Sequence, residues 1–147
     1  MTIADVWKKI AFGYSYPIRE VNYAIDGDTV KAVLDRGEGE FMKRSLRIAG
    51  VDCPPRTTEA GRLVTRVTSA WLLARTNAGI ALVFHSTSKP KYAGRLVGDI
   101  ADADGRFLFP FLVKEFGKEY KGGAKEPWQQ EELDAIAQAA LRFLDVN

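Results

Sequence analysis

Between residues 18 and 49 apolar side chains recur at every second position, and from residue 60 they recur at every third and fourth. The first period is met by strands and the second by a helix, so a meander must hand over to an amphipathic helix within about ten residues. "IREVNYAI" at 18–25 places Val21, Tyr23 and Ile25 on one side. Asp26-Gly27 follows, a strong hairpin signal. "TVKAVL" alternates through Val30, Ala32 and Leu34, "GEGE" at 37–40 turns the chain, and "FMKRSLRIA" carries Met42, Leu46 and Ile48 on one face and Arg47 on the other.

Ala60, Leu63, Val64, Val67, Ala70, Trp71 and Ala74 then form a helical stripe, with Thr57 or Thr58 as cap and Glu59 suited to the N-terminal dipole. "GIALVFHS" and "RLVGDIAD" read as two more strands, and Asp104-Gly105 as a turn. "PFLVKEF" reads as a short helix ended by Gly117, and a last helix opens at Pro127 with the stripe Leu133, Ile136, Ala137, Ala140, Leu141 and Leu144. Five short strands with a helix after the third predict an α+β, mainly β fold: a five-stranded OB-fold barrel with about three helices. At 147 residues and 46% apolar, the chain fits one domain over 1–147. Residues 1–17 are expected to be an N-terminal extension, with "ADVWKKIAF" as a short amphipathic helix, and 127–147 the C-terminal helix.

Composition excludes several chemistries. One histidine and one cysteine cannot build the usual zinc sites, and a Ser-His-Asp triad would need His85, which lies in an apolar strand and reads as structural. A lone cysteine forms no intrachain disulfide, no leader is visible, and no apolar run spans a bilayer, so a soluble cytoplasmic protein, taken as a monomer, is expected. The net charge of +2 is modest. Lys and Arg nonetheless cluster at Lys43, Arg44 and Arg47; at Arg56, Arg62 and Arg66; at Lys89, Lys91 and Arg95; and at Lys114, Lys118, Lys121 and Lys125. Such clusters suit either a solvated face or a polyanion. Asp28 begins a strand, a poor place for a carboxylate unless something polar lies opposite, and Asp52 falls just past the end of the third strand. Adjacent antiparallel strands can bring the two together, where a hard cation would relieve their repulsion. Arginine forks at Arg47 and Arg95 match phosphoryl oxygens.

Three segments carry a resemblance to the staphylococcal nuclease (thermonuclease-like) family. "AIDGDTV" at 24–30 is similar to its acidic hairpin, "LRIAGVDCP" at 46–54 to its Arg-to-Asp strand end, and "KYAGRLVGDI" at 91–100 to its Tyr-Gly-Arg turn with one extra alanine. "LVKEFGKEYKGGAKEPW" at 112–128 resembles the tail of some bacterial and phage members. The likeness covers roughly residues 18–128. It implies a calcium-dependent nuclease acting on DNA or RNA. Asp28, Asp52 and the backbone carbonyl of Cys53 would be metal ligands, and Arg47 and Arg95 would bind the scissile phosphate. Lys91 and Tyr92 would contact a neighbouring phosphate, and Tyr120 would stand in the place of a substrate-stacking tyrosine. One departure matters: the family's Glu after the corner proline, held to activate the attacking water, is here Pro55. The nearest downstream carboxylate, Glu59, is either a substitute base or an ordinary first-turn residue. The expectation is a nuclease, slow for want of that base; the alternative is a nucleic-acid-binding OB domain with impaired catalysis, using Tyr92, Tyr120 and Trp128 as further strand contacts.

Overall fold

A computed structural model describes residues 12–87 and 95–146. Its strands are β1 (Phe12–Asp26), β2 (Thr29–Gly37), β3 (Glu40–Ile48), β4 (Val51–Asp52), β5 (Leu82–Thr87), β6 (Arg95–Asp102) and β7 (Lys118–Glu119). Its helices are α1 (Glu59–Asn77), α2 (Leu108–Glu115) and α3 (Gln130–Val146). Five strands close into a barrel in the order β1-β2-β3-β6-β5, all neighbours antiparallel except β3 and β6. This is the OB-like α+β architecture expected. No helix among the described residues is long and apolar enough to cross a membrane.

The expected extension over 1–17 is corrected by the start of β1. Residues 12–17 are barrel strand: Phe12–Pro17 pairs with β5, and Ile18–Asp26 then pairs with β2. The change of partner falls at Pro17, which has no N–H to lose from a ladder. One long strand thus serves two neighbours and closes the barrel. The segment 4–11 of the expected amphipathic helix lies outside the described residues.

A second correction concerns Tyr23. Register irregularities fall between Ile18 and Glu20, Val21 and Tyr23, and Ala24 and Asp26. Each displaces the side-chain alternation. Val21 therefore pairs with buried Ala32, while Tyr23 pairs with Lys31 on the outer face and is 57% exposed.

The barrel interior holds Val30, Ala32, Leu34, Leu46, Ile48, Phe84 and Ile100, and α1 covers one end with Leu63, Val64, Val67 and Trp71. Helix α1 is capped by Thr58, whose Oγ1 accepts from Gly61 N at 3.0 Å. The last helix begins at Gln130 rather than Pro127; it buries Ile136, Ala139 and Ala140 and leaves Leu141 exposed, against the stripe expected.

Candidate functional site

The hairpin between β1 and β2 turns through Gly27 and Asp28, and neither has positive φ, so it is not the type I′ turn that Asp26-Gly27 suggests. Gly27 is needed instead for space, since a Cβ there would lie 2.4 Å from Val64 Cγ1 and 3.1 Å from Cys53 Cβ. Thr68 Oγ1 donates to Gly27 O at 2.6 Å, tying the hairpin to α1. The Asp28 carboxylate is thereby held inside, where it accepts from Cys53 N at 2.9 Å and Thr29 Oγ1 at 3.0 Å. Arg47 Nη1 lies 3.4 Å from its Oδ2.

Arg47 is itself buried on the outer face of β3, cross-strand from Thr29. Its guanidinium also donates to Ile48 O and Val51 O, each at 2.7 Å. Buried charge is tolerated only when paired and hydrogen-bonded in this way. In the parallel ladder, Ser45 lies opposite Arg95 and Arg47 opposite Val97. Arg47 and Arg95 therefore share one face, two positions out of step on neighbouring strands.

The two-stranded ladder of β4 with β7 completes the wall. Val51 pairs with Glu119 and Asp52 with Lys118, and Tyr120 N donates to Gly50 O at 2.8 Å. Those bonds set the Tyr120 ring 5.9 Å from the Arg47 Cζ and 6.0 Å from the Lys125 Nζ. The result is a cleft of about 460 Å³ whose walls include Arg47, Arg95, Gly50, Tyr120, Lys121 and Lys125. A second hollow of about 350 Å³, on which Asp52 and Glu126 border, shares Tyr120 and Lys121 with it.

Asp52 is buried, and Lys125 Nζ lies 3.3 Å from its Oδ1. Each of the two expected metal-binding carboxylates is thus balanced by a cation of its own. Among the described residues no group of three or more His, Cys, Asp or Glu side chains is disposed to hold a metal ion. Negative charge nonetheless converges on this corner. Burial pushes the Cys53 thiol well above its usual range and Asp28 raises it further; Arg47 opposes, and Asp52 and Asp26 add to the rise. The side chain is a protonated, buried filler.

Glu59 stands elsewhere. It is exposed in the first turn of α1 and borders a separate hollow of about 250 Å³ with Gln130, Leu133 and Asp134 of α3. It is not among the residues lining the arginine cleft. Pro55 is exposed at the corner, and its carbonyl accepts from Thr58 N at 3.0 Å and Thr58 Oγ1 at 2.7 Å. Trp128 is partly buried against the core under Lys118 and does not line the cleft. Lys91 and Tyr92 lie outside the described residues. The Nδ1 of His85 is 2.8 Å from Ser15 Oγ, and its ring packs on Phe107. Sequence reasoning missed Lys121 and Lys125 as cleft residues, although both stand in the fourth basic cluster; only the β4–β7 pairing brings them across. No protein-family model matches the chain and no curated protein matches it.

Proposed function

We propose that the protein is a nuclease that binds single-stranded DNA or RNA in the Arg47–Arg95 cleft and hydrolyses a phosphodiester there with calcium. One observation carries this reading: two arginines from neighbouring strands, two lysines and a tyrosine ring converge on one cleft beside a buried aspartate. Guanidinium forks suit the phosphoryl oxygens, and their charge grows in value as the transition state gathers negative charge. Arg47 is fixed by its bonds to Ile48 O and Val51 O, so it needs no reorganisation when charge develops. Tyr120 offers a ring on which a base can stack. The likeness of the three segments to the staphylococcal nuclease family supports the same chemistry.

Asp28, Asp52 and the Cys53 carbonyl are hard oxygen donors of the kind calcium takes, with further carbonyls or water completing its shell. They would hold the ion, and the ion would supply Lewis-acid stabilisation and a more acidic bound water. With proline at 55 and Glu59 beside α3, neither of these two positions supplies the missing base. Metal and arginine stabilisation remain, and the expected penalty is about 10²–10⁴-fold in rate.

The test is cleavage of single-stranded DNA by the purified chain in calcium. Cleavage is expected, lost on chelation, and reduced about 10²–10³-fold by either Arg47→Ala or Arg95→Ala. Metal-independent cleavage that survives both substitutions would sink the assignment. Pro55→Glu is expected to raise the rate by about 10²-fold or more; an unchanged rate would mean that the corner lacks more than its base. The second reading is a binding domain that does not cleave. The pairing of Asp28 with Arg47 and of Asp52 with Lys125 favours it, and binding without cleavage would establish it.

A further inference from the structure

The irregularity that turns Tyr23 outward places it at the end of a cross-strand row. Tyr23 of β1 pairs with Lys31 of β2, Lys31 with Ser45 of β3, and Ser45 with Arg95 of β6. All four side chains therefore lie on the outer barrel face, in line, and the row runs directly from the wall of the cleft. At strand spacings of about 4.8 Å it is about 14 Å long. Tyr23 is 57% exposed, so its ring is open to a ligand at the end of the row. Lys31 and Arg95 supply the charge that a phosphate backbone would follow, and Ser45 a hydroxyl between them. The carboxylates of this face lie off the row: Asp26 is opposite Thr29, Glu20 is opposite Val33, and Asp35 is opposite Phe41 with its Oδ1 accepting from Gly37 N. The row itself is cationic, and the rows beside it are mixed, with Glu20 and Lys43 both opposite Val33 and with Asp26 and Arg47 both opposite Thr29.

We infer that this row is an extension of the binding path: a single strand leaving the Arg47–Arg95 cleft crosses β3 and β2 over Ser45 and Lys31 and stacks a base on Tyr23. A duplex cannot use the row in this way, because its base faces are already stacked on one another. The inference rests on the nucleic-acid reading of the cleft and deepens it, by making single strands of several nucleotides the preferred ligand.

The test is binding by the full chain in calcium of labelled phosphorothioate oligothymidylates, three and twelve nucleotides long, followed by fluorescence anisotropy. Wild type should bind the twelve-mer more tightly than the trimer. Tyr23→Ala should weaken the twelve-mer by about 5- to 100-fold, the worth of one stacked base, and leave the trimer unchanged. Lys31→Ala should act in the same direction, and Tyr23→Phe should retain the affinity. Circular dichroism confirms that each variant is folded. Equal affinity for both lengths, or a Tyr23→Ala protein that binds the twelve-mer as wild type does, would overturn the extension while leaving the cleft intact. A duplex twelve-mer that suffers the same loss on Tyr23→Ala would overturn the single-strand assignment. Failure of wild type to bind either length would overturn the cleft reading and this inference together.

Discussion

Gly61 sits in the first turn of a long helix, where alanine would ordinarily be the better residue by about 0.5–1 kcal/mol. Here a Cβ would lie 1.8 Å from the Pro55 carbonyl oxygen and 2.7 Å from that of Pro54. Backbone cannot yield as the end of a long side chain can. Gly61→Ala is therefore expected to destabilise the fold by about 1–3 kcal/mol, the usual cost of overpacking, and urea unfolding would measure it; a gain in stability would show that the corner is free to move. The same contact fixes the backbone at the second proline. Its carbonyl receives Thr58 and its backbone rests on Gly61. At this scale the sequence was informative about residue types and poor about partners. Asp28 looked out of place at a strand start, and it is: it is buried against Arg47 and Cys53 N. The identity of those partners depends on a contact across 25 residues, which no local pattern encodes.

Helix α2 has no side-chain cap of its own, since Phe107 stands at its N-cap position. Its cap comes from β6. Asp99 is 1% exposed and accepts from Phe109 N at 3.1 Å and Ile100 N at 2.8 Å. Burial raises the Asp99 carboxyl well above the usual carboxylate range, and the two backbone hydrogen bonds only partly oppose it. A carboxyl raised in the folded state holds its proton where the unfolded chain has lost it. Its contribution to stability is therefore full below the ordinary carboxylate pKa and declines as pH climbs through the raised value. Asp99→Asn keeps an acceptor and removes the ionisation. It is expected to flatten the fall in stability between mildly acidic and alkaline pH, seen by urea unfolding across that range; a fall as steep as that of wild type would place its origin elsewhere. Among the elements, β6 was legible to the residue because a short run of Leu, Val and Ile stops before the Asp104-Gly105 turn and no register irregularity interrupts its ladders. β1 was not, because four irregularities interrupt its two ladders and Pro17 looks like a terminus when it is a change of neighbour. β7 is two residues long, too short to leave any pattern.

Across the whole molecule the modest net charge of +2 conceals a polarised arrangement. Arg47, Arg95, Lys121 and Lys125 come from three of the clusters seen in the sequence and meet in one cleft. If each meets one phosphate of a short single strand, the logarithm of affinity should fall against the logarithm of salt concentration with a slope of about −3. Anisotropy titrations between low and physiological salt would measure it, and a slope near zero would mean that the cleft does not bind a polyanion. The barrel was legible at this scale from the order of its periods alone. The cleft was legible only in part, because one wall belongs to residues that reach it through a ladder of two residue pairs.

That small ladder has a consequence in time. All five barrel strands lie between residues 12 and 102, whereas Tyr120, Lys121 and Lys125 arrive only after α2 has turned the chain back. As the polypeptide leaves a ribosome, every strand needed to close the barrel emerges before the far wall of the cleft exists. A nascent chain would acquire its scaffold first and the far wall of its cationic cleft last.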